Sequence, residues 1–116
     1  MFIEIESIKY HIEIKGEGKS IICLHGFSEN LSTWEFLKVS GYQLILIDLI
    51  GHGESDKPKR RKYYSLTVIL RHLNKIISKL GLKKYSMLGY SMGGRIALAY
   101  ALRYPKEIDN LILESA

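Results

Sequence analysis

Gly89-Tyr90-Ser91-Met92-Gly93-Gly94 matches the pattern Gly-x-Ser-x-Gly, and its surroundings give the match its weight. Residues 84–88 read as a short strand and residues 91–103 as a helix, with Pro105 just past the helix end. A serine on so tight a strand-to-helix turn takes a strained backbone conformation. Side chains two residues to either side would collide with it or with neighbouring strands, and glycines at 89 and 93 remove them. The turn lifts the hydroxyl clear of the sheet and sets it at a helix N-terminus. There the dipole and free N–H groups favour developing negative charge. Ser91 is therefore the candidate nucleophile.

Working outward, residues 2–6 and 10–15 alternate apolar and polar, which predicts two strands with one buried face each. Gly16-Glu17-Gly18-Lys19 predicts a turn, and Ser20 to Leu24 a short buried strand. A short helix is expected over residues 31–38, around Trp34. Tyr42 to Leu49 is an apolar run of the kind that parallel sheets bury on both faces, broken by Gly51-His52-Gly53. From Ser65 to Leu80 apolar residues recur at helical spacing, with Ser65 suited to the N-cap and Gly81 to the position after the C-cap. Residues 108–113 form a last predicted strand. Strands that alternate with helices in this way predict a mostly parallel sheet with crossover helices in one domain, residues 1–116.

Composition narrows the function classes. A chain of 116 residues with 47% hydrophobic and 25% charged residues is ordinary for a globular domain, and no apolar run nears the roughly 18 residues of a membrane helix. The acid-bearing N-terminus does not read as a signal peptide. The lone Cys23 has no partner for an internal disulfide, so a reducing cytoplasm is the expected setting. Part of the net charge of +5 lies in Lys57-Pro58-Lys59-Arg60-Arg61-Lys62. An acidic or nucleic-acid partner would explain that run. With no nucleic-acid motif beside it, a solvated loop is the preferred reading, and neither nucleic acid nor a membrane is an expected partner. Gly18-Lys19-Ser20 ends like a phosphate-binding loop, but Glu13 stands where the first glycine belongs and a strand follows in place of a helix.

Three other stretches bear on chemistry. His25-Gly26-Phe27 follows the third predicted strand and suits a loop that supplies an oxyanion donor. The backbone amides of Phe27 and Met92 are the candidate pair. His25 is expected to order this loop and not to act as a base, and His52 to hold its own loop by a hydrogen bond. His11, in an early strand, and His72, on a surface helix, are given no role. Arg95 lies one helical turn beyond Ser91 on the same face. It is either a planar fork for a carboxylate or a solvated surface arginine.

Taken together, His25-Gly26-Phe27, Asp48 through Asp56 and Gly89 through Gly94 resemble the α/β-hydrolase superfamily, in that family's order. Gly89 through Arg95 with Leu111-Ile112-Leu113-Glu114-Ser115-Ala116 is similar, more narrowly, to the 2-succinyl-6-hydroxy-2,4-cyclohexadiene-1-carboxylate synthases (MenH-like) of menaquinone biosynthesis. That likeness implies a serine–histidine–aspartate triad that abstracts a proton and eliminates pyruvate. It implies Ser91 as the triad serine, Phe27 and Met92 as oxyanion amides, and Tyr90 and Arg95 as contacts to a small anionic substrate. His25, Gly26, Gly89 and Gly93 would be structural, and neither metal nor cofactor is implied.

In this fold the acid and then the histidine follow the serine in the chain. No histidine follows Ser91, and Glu107, Asp109 and Glu114 come too early to be the acid. The expectation is the N-terminal part of an α/β-hydrolase fold without lid or C-terminal strands, inefficient alone. Its unfinished edge at residues 108–113 would be open to self-association or to a partner chain. The alternatives are a fragment of a carboxylesterase or acyl hydrolase, and a non-enzymatic half-fold completed by another chain.

Overall fold

The computed structural model describes residues 1–116. Six strands form one sheet: β1 (Phe2–Ile5), β2 (Ile8–Gly16), β3 (Lys19–Leu24), β4 (Tyr42–Ile47), β5 (Tyr85–Tyr90) and β6 (Ile108–Glu114). Their order across the sheet is β1-β2-β4-β3-β5-β6. The hairpin β1–β2 and the β2–β4 pair are antiparallel; β4, β3, β5 and β6 run parallel. Two helices connect them, α1 (Leu66–Lys79) and α2 (Met92–Arg103). This is the mixed, mostly parallel architecture that the alternation of strands and helices predicts.

Local chemistry sets the element ends. Ser65 caps α1, its hydroxyl accepting from the Val68 amide, and Gly81 follows at φ +75° beyond the last turn. The β1–β2 turn is tighter than the sequence suggests. Glu6 and Ser7 both take positive φ, so the strands reach Ile5 and restart at Ile8 around a two-residue turn. The helix expected over residues 31–38 shrinks to a 3-10 helix at Leu31–Trp34, capped by Asn30. The strand before Ser91 runs to Tyr90, two residues past its predicted end.

Alternation along the strands divides the core. Ile22, Leu24, Ile45, Ile47, Tyr85 and Met87 face α1 and α2. Ile21, Cys23, Leu44 and Leu46 face the other way, against Leu31 and Trp34. Cys23 is a buried free thiol whose pKa is pushed up to about 12 by burial. No helix is long and apolar enough to cross a membrane. β6 is an edge strand, with Ile112 and Leu113 exposed.

One expectation needs correcting. His72 is not on the surface: it is 1% exposed, because it lies on the α1 face that packs over the β1–β2 hairpin. Its Nδ1 meets the Tyr10 hydroxyl at 2.7 Å, and its Nε2 lies 3.6 Å from Glu6. Glu6 in turn accepts a two-pronged contact from Arg71 and a third from Lys75, pinning the hairpin tip to α1. Burial makes His72 harder to protonate than a free imidazole. As pH falls below about 6.5 the unfolded chain therefore takes up protons before the folded one, and stability declines. Urea denaturation from about pH 7.5 to about pH 5 is expected to show that decline. His72→Gln, which retains an acceptor for Tyr10, is expected to make it shallower.

Candidate active site

Ser91 sits between β5 and α2 at φ 53°, ψ −114°, in the left-handed half of backbone space that an L-residue enters only under strain. Its amide donates to the Glu114 carbonyl at 2.9 Å, and its carbonyl accepts from Arg95 N–H at 3.1 Å. The elbow is thus held by the end of β6 and by the first turn of α2. The serine side chain makes no capping hydrogen bond.

Only glycine permits this approach of α2 to the sheet. A Cβ on Gly93 would come within 2.5 Å of the His25 carbonyl oxygen, at the end of β3. One on Gly89 would lie 2.6 Å from the Cα of Gly94. Gly26 faces the Tyr90 ring, which a Cβ there would meet at 3.0 Å.

The loops around the elbow hang on Asp48, which is 2% exposed. Its Oδ1 accepts from the Leu31 amide at 2.7 Å, and its Oδ2 from the Glu54 amide and His11 Nδ1, both at 2.9 Å. The Ser55 hydroxyl donates to its carbonyl at 2.6 Å, and Gly53 leaves no room between its own Cα and the carboxylate for a side chain. One buried carboxylate therefore ties the loop after β3 to the loop after β4. Sequence reasoning placed Asp48 within a motif without seeing this role, and it gave His11 none. The available signal was an acid ending a buried strand, followed by Gly53 and Ser55.

His25 is fully buried. Its Nε2 accepts from the Leu49 amide at 3.0 Å, so the proton resides on Nδ1 and is donated to the Gly26 carbonyl at 2.7 Å. Burial lowers its pKa, which keeps it neutral. His52 is used similarly: Nε2 accepts from the Ser28 amide at 3.2 Å and Nδ1 donates to the Ile50 carbonyl at 2.9 Å. With both nitrogens of each ring engaged, neither histidine is free to take a proton from Ser91.

Phe27 and Met92 come together on one pocket of about 410 Å³, which Ile50, His52, Tyr64 and Ile96 also line. The Phe27 amide donates to no carbonyl of the chain, and Met92 opens α2, where an N–H has no partner four residues back. Tyr90 and Arg95 do not line this pocket. Tyr90 packs beside Gly26 and the smaller core on the opposite sheet face, whereas Arg95 is exposed. Nowhere do three His, Cys, Asp or Glu side chains converge as metal ligands would.

A family model for the alpha/beta hydrolase fold matches residues 19–116. The chain belongs to that family. A protein of Bacillus subtilis (strain 168), provisionally named 2-succinyl-6-hydroxy-2,4-cyclohexadiene-1-carboxylate synthase, is 40% identical over 95% of this chain and 42% of its own length. Epoxide hydrolase 4 of Homo sapiens is 33% identical over 96% of this chain and 32% of its own. Among solved structures, an epoxide hydrolase from Vigna radiata superposes with a TM-score of 0.92 at 26% identity, covering 97% of this chain and 38% of that one. The thioesterase domain from the curacin biosynthetic pathway gives 0.88 at 30% identity, covering 97% and 44%. This α/β-hydrolase chain thus spans less than half the length of these relatives.

Asp48→Asn replaces one accepting oxygen by a donor that faces a backbone N–H or His11. It is expected to cost about 1–3 kcal/mol of stability, measured by chemical denaturation, without abolishing the sheet's circular-dichroism signal.

Proposed function

We propose that Ser91 is the reacting serine of an α/β-hydrolase-type site, with the Phe27 and Met92 amides stabilising the oxyanion that forms. The observation that carries this is the strained elbow: a non-glycine residue at φ 53°, followed directly by Met92, which lines a pocket together with Phe27. For the reaction itself we propose the one in the name of the Bacillus subtilis relative: formation of a succinyl-hydroxycyclohexadiene carboxylate, by serine-assisted elimination of pyruvate from an anionic substrate. Arg95, exposed one turn after Ser91 and in no ion pair, suits a substrate carboxylate, whereas Tyr90, packed with the smaller core on the opposite sheet face, is not placed to be a second contact.

A hydroxyl becomes a strong nucleophile or proton acceptor only when a base removes its proton. Within residues 1–116 all four histidines are committed: His11 to Asp48, His25 to Gly26 and Leu49, His52 to Ile50 and Ser28, His72 to Tyr10. None of these four histidines is free to act as the base that Ser91 needs. A second reading, hydrolysis of an acyl ester, is favoured by the apolar character of the pocket that Phe27 and Met92 line.

Two measurements test this. The 116-residue chain alone is expected to hydrolyse an activated aryl ester no faster than its Ser91→Ala variant. Turnover well above background that the substitution abolishes would mean that a base within these residues activates the serine. Size-exclusion chromatography with light scattering is expected to show concentration-dependent self-association through the open β6 edge; a strictly monomeric chain would count against that edge as a docking site.

A further inference from the structure

The run from Lys57 to Lys62 remains without a role. Its five cations equal the net charge of the whole chain, so everything outside the run is electrically balanced. None of the five is paired with a carboxylate: every ion pair in the structure involves His11, Arg71, His72 or Lys75. Lys57 reaches only the Gly53 carbonyl, and Lys62 lies 5.1 Å from the Tyr63 ring centroid. Asp56, the nearest acid in sequence, turns its carboxylate to the Lys9 amide.

This strip is anchored to the pocket that Met92, the residue after Ser91, lines with Phe27. Tyr64 lines that pocket, and a Cβ on Gly51 would lie 2.8 Å from the Tyr64 ring. The Tyr64 hydroxyl donates to the Pro58 carbonyl at 2.6 Å, which ties the middle of the run to a residue of the pocket wall. An apolar cavity of about 410 Å³ with no cation among its lining residues is thus joined, through one hydrogen bond, to a run of five cations without carboxylate partners. Such a pairing of surfaces suits a ligand with two unlike ends. Lysines and arginines at the mouth attract and orient anionic groups, and the cavity removes apolar area from water.

We propose that the pocket and the Lys57–Lys62 rim together bind a multiply anionic amphiphile, its apolar ring or chain in the cavity and its carboxylates or phosphates on the rim. This rests on the pocket being the substrate cleft of Ser91, but it concerns binding and needs no turnover.

The test is calorimetric titration of the 116-residue chain with two amphiphiles. Benzylsuccinate presents carboxylates and hexanoyl-coenzyme A presents phosphates; succinate and benzyl alcohol are the separate parts of the first, coenzyme A and hexanol those of the second. At least one amphiphile is expected to bind ten-fold or more tighter than either of its parts, with the better of the two naming the anion. Lys59→Gln/Arg60→Gln/Arg61→Gln removes three exposed side chains that make no hydrogen bond. It is expected to weaken that binding at least ten-fold while hexanol binding and thermal unfolding are unchanged, and raised salt is expected to act on the unsubstituted chain in the same direction. The proposal is overturned if the triple variant binds as well as the parent, if a head group alone binds as tightly as its amphiphile, or if a single-stranded oligonucleotide outcompetes both. Because Ser91→Ala should leave this binding intact, a failure of the rim is distinguishable from a failure of the serine's chemistry.

Discussion

The first turn of α2 lies directly on the backbone of β3 and β5, and much else in the molecule depends on that contact. Gly89 and Gly93 leave no atom between helix and sheet, so the chain must turn within one residue. That residue is Ser91, and its positive φ is the local cost of the closeness. The same contact sets Met92, at the start of α2, into the wall of the pocket that Phe27 also lines. Pinning Ser91 N–H to the Glu114 carbonyl makes β6 part of the elbow's support.

A second constraint holds the walls of the pocket in place. Loops carry backbone polar groups that need partners when buried. Here Asp48 and His25 supply them across chain separations of 17 and 24 residues. Both are buried, and each satisfies the loop after β3 and the loop after β4 at once. The histidines near the serine are thereby consumed as structure. Phe27 and Met92, the two proposed oxyanion donors, line one pocket, whereas no histidine beside it is free to handle a proton.

Much of this was legible in residue order. Strands and helices followed from periodicity because the buried face of each repeats at two or at three to four residues. Ser65, Gly81, Gly89 and Gly93 marked boundaries for reasons that act within a few residues of each. Other features were not legible. Strand order was hidden, since β4 inserts between β2 and β3. The burial of His72 was hidden because it depends on where the β1–β2 hairpin lands on α1, through a contact 62 residues apart. His11 was unreadable for the same reason, as Asp48 lies 37 residues away.

By itself, then, the amino-acid sequence determined the elements, the elbow and the identity of the candidate nucleophile, because steric exclusion at a glycine and the period of an apolar face are local properties. Tertiary structure decided which polar groups are committed and which are free. His25, His52 and Asp48 are bound to backbone partners from other loops, while the Phe27 amide has no carbonyl partner and the cations of residues 57–62 have no carboxylate partner in the chain. Hydrogen-bond satisfaction is a property of proximity in space, and distant segments come into register only when the sheet has formed.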